Sequence, residues 1–246
     1  MSTLKLVYAG AISTSLVIIL GLVMISPVFN RIAPVKDQQR VAIILSVTEQ
    51  ANVTSWCSEI GSFLSEKGIK ATVFFTGKIA DFYPWTVSSF ENDVDIGSMT
   101  YGGADLVSIP DYTIQLDEVK RGKEAVEESA GLSSRIFSAP YGSVNDDIYS
   151  LLNRSDILAD FSYNDHYNKL YNGQFIRMEL KVYEGADSRP ENILSLTNKE
   201  MLVALRFNNS VSASRVIAYI SSLRSGGVQF LNASEITGLE LTLRGV

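Results

Sequence analysis

The sequence predicts an α/β domain built on a mainly parallel sheet or barrel. Short apolar runs of strand length alternate with longer segments in which apolar residues recur every three or four positions. Strand–helix–strand units of about 30 residues are typical of parallel sheets. The chain has 246 residues, of which 46% are hydrophobic and 20% charged, enough for one such domain with a sizeable core.

The first half of the chain alternates regularly. The predicted strands are Val41–Leu45, Ala71–Thr76 and Val94–Gly97, and the predicted helices are Asn52–Lys67, Lys78–Phe90 and Tyr112–Ser129. Each strand is an apolar run too short for a helix, as in strands buried on both faces. The first helix has an apolar stripe that includes Cys57, and it ends at Gly68, a typical C-terminal cap. Because Cys57 is the single cysteine, we expect a buried structural thiol and no intrachain disulfide.

The second half is less regular. The predicted strands are Arg135–Phe137, Ile157–Ser162, Met201–Phe207 and Val228–Leu231, and the predicted helices are Val144–Asn153, Pro190–Leu196 and Ser212–Leu223. Ala139–Gly142 is expected to form a turn. The segment 163–190 shows no clear period, and we expect it to be irregular, with one strand at Phe175–Lys181.

The N-terminal segment is predicted to anchor the chain in a membrane. Leu6–Asn30 is 25 residues without a charge, an apolar length that suits one bilayer span. A cleaved signal peptide has a shorter apolar region and a small-residue cleavage site, which are not clear here. The predicted organisation is a tail at 1–5, a transmembrane anchor at 6–30, a linker at 31–40 and a globular domain at 41–246.

Charge restricts the partners of the domain. The net charge of −6 argues against a nucleic-acid partner. The positive-inside rule alone would place the domain in the cytoplasm, because Arg31, Lys36 and Arg40 follow the span. N-x-S/T sequons instead favour an outward-facing domain, and they occur at Asn52, Asn153, Asn208 and Asn232.

The order of several motifs resembles the polysaccharide deacetylase family, the NodB-homology carbohydrate esterases. The motifs are Val41–Val47, Lys70–Gly77 (KATVFFTG), Asp95–Leu106 (DIGSMTYGGADL), Phe137–Gly142 (FSAPYG) and Met201–Phe207. The resemblance covers about Val41–Leu231. It implies a distorted (β/α) barrel with its site at the carboxyl ends of the strands. It also implies a domain outside the cytoplasm, with cell-envelope polysaccharide or an envelope protein as the partner.

The same resemblance exposes substitutions at the catalytic positions. The family holds a metal ion with one aspartate and two histidines in an H-x-x-x-H spacing. The aspartate pair falls on Ser46 and Val47, the two histidines on Met99 and Gly103, the motif arginine on Ser138 and a late histidine on Arg206. The chain contains a single histidine, whereas the family mechanism uses more than one. We therefore expect no metal, no other cofactor and a pseudoenzyme without catalytic residues.

A groove for a glycan or a protein partner is the remaining candidate site. Its candidate residues are Glu49, Tyr141, Asp165, His166 and Arg206. Tyr141 is expected to pack or to line a groove wall, and His166 to be a solvated loop residue. One alternative is an active hydrolase of C–N bonds with an atypical site, for which Glu49 and Asp165 are a candidate acid/base pair. Another is a structural scaffold of the cell envelope.

Overall fold

The structure is a computed structural model that describes residues 39–48, 50–90, 93–197 and 202–244. The strands are β1 (Arg40–Val47), β2 (Ala71–Phe75), β3 (Val94–Ser98), β4 (Leu132–Ser134), β5 (Ile136–Phe137), β6 (Ala159–Asp160), β7 (His166–Tyr171), β8 (Gln174–Glu179), β9 (Lys181–Glu184), β10 (Val203–Asn208), β11 (Gln229–Leu231) and β12 (Thr242–Arg244). The α-helices are α1 (Val53–Lys67), α2 (Gly77–Phe82), α3 (Pro84–Val87), α4 (Tyr112–Ala130), α5 (Asp146–Arg154), α6 (Pro190–Thr197), α7 (Ala213–Ser225) and α8 (Ala233–Thr237).

The main sheet curls into a nearly closed barrel. Its strands follow the order β8-β7-β6-β5-β3-β2-β1-β10-β9, with β11 also paired to β1, and β4 and β12 form a separate two-stranded sheet. Along this path, every neighbouring pair of strands from β6 to β9 is parallel. The pairs β6–β7 and β7–β8 are antiparallel. The two ends of this path, β8 and β9, are joined by Leu180, whose N–H donates to the carbonyl of Asp165 at 3.3 Å. The α/β barrel predicted from the alternation is therefore present.

Apolar side chains form one layer outside the sheet and another inside it. Along β1, Val41, Ile43 and Leu45 pack with α1 and α7 in the outer layer, whereas Ala42 and Ile44 face the interior. Strand side chains alternate between faces, so each central strand must be apolar throughout to fill both layers. Cys57 lies in the outer layer with no exposed surface, which confirms the predicted buried thiol.

The prediction of one continuous helix at Lys78–Phe90 is wrong. The structure has two short helices, α2 and α3, separated at Tyr83, where the backbone adopts φ −135° and ψ 58°. Pro84 begins α3 as its first residue. Proline lacks an N–H and disfavours the helical conformation in the residue before it, so the first helix ends there.

The expectation of an irregular segment at 163–190 is also wrong, since β7, β8 and β9 lie in it. The one strand predicted there, Phe175–Lys181, corresponds to β8. The β7–β8 hairpin turns at Asn172-Gly173, where φ is 50° and 82°. Asn-Gly is the strongest short-range signal for a two-residue hairpin loop, because both positions need positive φ. The sequence contained this signal, but the polar faces of both strands obscured it.

No helix among the described residues is long and apolar enough to cross a membrane. The predicted anchor Leu6–Asn30 lies outside the described residues, as does most of the predicted linker.

Close backbone contacts bring α2 and α4 against the loop that follows β3. A Cβ added at Gly122 of α4 would lie 2.3 Å from the carbonyl oxygen of Met99, and one at Gly77 would lie 2.8 Å from the Cα of Gly122. The N–H groups of Gly77 and Lys78 donate to the carbonyls of Thr100 and Tyr101 at 3.3 and 2.9 Å. Only glycine permits such an approach, which holds the loop after β3 beside the carboxyl end of β2.

Candidate functional site

A pocket of about 680 Å³ opens at the carboxyl ends of the parallel strands. This is the end of an α/β barrel or sheet where loops meet and ligands bind. Neutral polar side chains form much of the lining: Ser46, Thr48, Gln50, Thr76, Ser138, Ser162, Asn164 and Asn208. The charged side chains of the lining are Lys78, Glu184 and Arg206. Hydroxyls and amides offer hydrogen bonds of both polarities, which suits a neutral, hydroxyl-rich ligand.

The residues that the sequence resemblance sets at metal-ligand positions do not fit a metal ion. Met99 and Gly103 line the pocket, but Val47 is fully buried in the outer apolar layer. A thioether is a poor ligand for the borderline or hard divalent ions that imidazole and carboxylate ligands bind, and valine and glycine offer no side-chain donor. Within the part of the chain that the structure describes, no group of three His, Cys, Asp or Glu side chains could hold a metal.

Arg206, which the sequence resemblance sets against the late histidine, lines the pocket with a cationic side chain. Its guanidinium donates from Nη1 to the Oδ1 of Asn164 and from Nη2 to the carbonyl of Phe161, each at 2.8 Å. Nη1 also lies 4.0 Å from Oε1 of Glu184. The Nε atom is buried and has no hydrogen-bond partner among the described residues. Burial lowers the pKa of Arg206, and the carboxylates of Glu184 and Asp160 oppose that shift.

Asp160 is a fully buried carboxyl behind the pocket wall, and the sequence analysis did not single it out. It accepts hydrogen bonds from the Oγ and N–H of Ser162, and Tyr149 donates to it at 3.1 Å. Burial raises the pKa of Asp160 from 3.8 to about 6. Ser162 Oγ also accepts from the N–H of Ala139 at 2.7 Å. The signal available in the sequence was a lone acidic residue inside the predicted buried strand Ile157–Ser162.

Tyr141 stands at the pocket wall, where the sequence analysis expected it. It lies in the short 3₁₀ turn Pro140–Gly142 and is 83% exposed. Its backbone has φ 63° and ψ 4°, a left-handed conformation that is costly for a bulky residue. The aromatic ring is therefore presented to solvent at the rim instead of being packed into the core.

Asp165 and His166 form a separate cluster beside the pocket. His166 is the first residue of β7 and is buried, which corrects the expectation of a solvated loop residue. Its Nδ1 lies 2.6 Å from Oδ1 of Asp165, and its ring stacks on Tyr163 at 4.1 Å. Arg177 also donates to Asp165 at 2.9 Å. The hydrogen bond with His166 lowers the pKa of Asp165.

The structure thus brings Tyr141 and Arg206 to one pocket and leaves Asp165 and His166 out of its lining. Glu49, and with it the candidate acid/base pair, lies outside the described residues.

The sequons differ in their surroundings. Asn208 lines the pocket and donates to Thr48, and Asn232 is buried with its side chain accepting from the N–H of Glu235. Asn52 and Asn153 are exposed. Of the four sequons, only those at Asn52 and Asn153 are exposed enough to support a glycosylated, outward-facing domain.

Solved structures with the same fold include active and inactive enzymes. A wild-type CE4 family pseudoenzyme from Bacillus anthracis aligns with a TM-score of 0.58 and 14% identity, covering 80% of this chain and 65% of that protein. The peptidoglycan deacetylase PdaC from Bacillus subtilis aligns with a TM-score of 0.58 and 16% identity, covering 82% and 91%. A family 4 carbohydrate esterase from Streptomyces lividans, in complex with acetate, gives 0.56 and 14%, covering 85% and 92%.

This chain spans about two thirds of the length of the first of these proteins and most of the other two. At such identities the likeness shows the fold alone. The family model for polysaccharide deacetylases matches residues 37–159 of the sequence, which include the strands that form one side of the pocket. The chain therefore belongs to the polysaccharide deacetylase family.

Proposed function

We propose that this protein is a membrane-anchored, glycan-binding member of the polysaccharide deacetylase family that lacks metal-dependent deacetylase activity. The observation that carries this proposal is the pocket itself. It opens at the carboxyl ends of the strands, and its lining includes Met99, Gly103 and Arg206, the residues that the sequence resemblance sets against the family's histidines.

The polar lining supports a sugar as the ligand. A pyranose ring carries hydroxyls that both donate and accept, and the serine, threonine, asparagine and glutamine side chains of the pocket can do the same. The guanidinium of Arg206 adds a cationic donor to this lining, which suits a hydroxyl or carbonyl oxygen of a ligand.

The proposed location is the cell envelope, with the domain outside the cytoplasm. The uncharged segment Leu6–Asn30 supports an anchor, and the exposed sequons at Asn52 and Asn153 support the outward orientation. Two relatives by fold, Bc1960 and PdaC, are described as peptidoglycan deacetylases, which act on an envelope polymer.

A binding and activity panel on the full-length protein tests the proposal. The probes are N-acetylglucosamine oligomers and isolated peptidoglycan, with zinc, cobalt, nickel or manganese added in the activity arm. We expect binding without release of acetate. Arg206→Met should weaken binding about tenfold or more, because it removes the guanidinium donors from the pocket. Acetate release that depends on an added metal, or no binding to any probe, would contradict the proposal.

A second candidate is a metal-free hydrolase of amide or ester bonds. The contact between Ser162 and buried Asp160 at the pocket wall favours it, since a carboxylate can act as the base for a neighbouring hydroxyl. Acetate release without metal, abolished in Ser162→Ala, would favour this candidate over the first. A structural scaffold, the third alternative, would show neither binding nor release.

A further inference from the structure

Two exposed aromatic side chains lie beyond the pocket on the α2–α3 corner. Phe82 is 59% exposed and Trp85 is 56% exposed. Large aromatic side chains normally bury most of their surface, so two left in water three positions apart in the chain point to a surface that contacts something else.

The tryptophan ring is held in place, although much of it is in solvent. Its Nε1 donates to Thr54 Oγ1 at 3.3 Å, and its ring meets the ring of Tyr83 edge-on at 6.0 Å and 89°. Pro84 precedes it and restricts the backbone at the start of α3. A ring fixed in this way loses little conformational entropy when a ligand packs on it.

Chain geometry connects this corner with the pocket. Lys78 on α2 lines the pocket, and Phe82 follows it by four residues on the same helix. Residues four apart in a helix lie on the same face, so Phe82 continues the surface that begins at Lys78. Gln50, which also lines the pocket, accepts from the N–H of Val53 at 3.3 Å, and the next residue, Thr54, holds the ring of Trp85.

We propose that Phe82 and Trp85 form a stacking platform for a second sugar ring of a glycan chain whose neighbouring sugar occupies the pocket. This inference rests on the proposed function and extends it to a ligand of more than one residue. The apolar face of a pyranose ring packs on an aromatic ring, while its hydroxyls remain in water at the edge. Removal of that apolar area from water and contact with two aromatic faces supply the binding energy.

The test measures how affinity depends on the length of the glycan. N-acetylglucosamine oligomers of one to six residues are titrated into the full-length protein held in nanodiscs of neutral lipid. The chain has two tryptophans, and Trp56 is buried, so Trp85 should report a ligand on the platform through its fluorescence. We expect affinity to rise about tenfold or more from the monomer to longer oligomers, together with a change in Trp85 emission.

Matched variants separate the platform from the pocket. Phe82→Ala with Trp85→Ala should remove the length dependence and leave monomer affinity unchanged. Trp85→Phe should retain most of the length dependence but lose the fluorescence signal. Tyr171→Ala, at an equally exposed aromatic on the β7–β8 hairpin, should behave as wild type.

Each contrary outcome identifies what fails. If wild type binds all lengths equally, or the double variant keeps the length dependence, the platform is wrong and the proposed function stands. If Trp85 emission is already shifted by the lipid and does not respond to oligosaccharide, the corner contacts the membrane and the platform is also wrong. If wild type binds no oligomer, the proposed function fails, and this inference fails with it.

Discussion

Replacement of Phe74 by alanine tests whether the interior of the barrel is packed as described. Phe74 has no exposed surface and lies across the interior, with its ring 6.4 Å from that of Phe161. A Cβ added at Gly97, its partner in the β2–β3 pairing, would lie 2.5 Å from the Phe74 ring. The ring therefore occupies space that no neighbouring side chain can enter without a shift of the strands.

The expected loss follows from this rigidity. Transfer of a buried phenylalanine side chain to water costs about 1.5–3 kcal/mol, and the cavity that remains adds to it. Phe161 is stacked on Tyr167 at 5.1 Å, and Gly97 belongs to a paired strand, so neither can collapse into the space. We therefore expect Phe74→Ala to lower the free energy of unfolding by about 4–5 kcal/mol, the upper part of the usual range.

Urea unfolding at 25 °C, followed by far-UV circular dichroism, measures this loss. The melting temperature should fall by roughly 8–20 °C for a domain of this size. Phe82→Ala is the control, because Phe82 is 59% exposed and its truncation should change stability by less than about 0.5 kcal/mol. A loss below about 1 kcal/mol for Phe74→Ala would refute the assignment of this ring to a rigid interior.

Further predictions concern the metal, Asp160 and the membrane. Elemental analysis of the purified chain should find no stoichiometric zinc, cobalt, nickel or manganese, whereas one ion per chain, lost on mutation of Glu49 or His166, would contradict the pseudoenzyme proposal. Burial raises the pKa of Asp160 from 3.8 to about 6, so the folded state binds this proton more tightly than the unfolded state does. The stability that this group contributes is therefore greatest below pH 3.8 and falls as the pH rises to about 6. In urea unfolding compared at pH 4 and pH 7.5, Asp160→Asn should remove this decrease in the free energy of unfolding, which is about 3 kcal/mol at most. An unchanged pH dependence in the variant would show that the carboxyl titrates normally. Protease added to intact cells should degrade the domain, and protection until lysis would place it in the cytoplasm.

Local sequence patterns were sufficient for most of the regular elements. Apolar runs such as those around Phe74 must be strands because they are too short for helices and are buried on both faces. The ends of the predicted elements moved by a few residues, and Pro84 divided one helix, which its restricted backbone could have indicated. That Met99, Gly103 and Arg206 offer no imidazole or carboxylate to a metal also needed no coordinates, because ligand chemistry depends on residue identity.

Only the tertiary structure could bring Asp160 near Arg206, or leave the rings of Phe82 and Trp85 in water. Arg206 is on β10 and Asp160 on β6, and they approach because the barrel nearly closes through β9, whose Val182 N–H donates to the carbonyl of Asn164 at 2.8 Å. The burial that raises the pKa of Asp160 is a property of the folded chain and not of its local sequence. A local pattern specifies which residues are apolar and which strands can form, but the order of strands around a barrel depends on contacts between residues far apart in the chain.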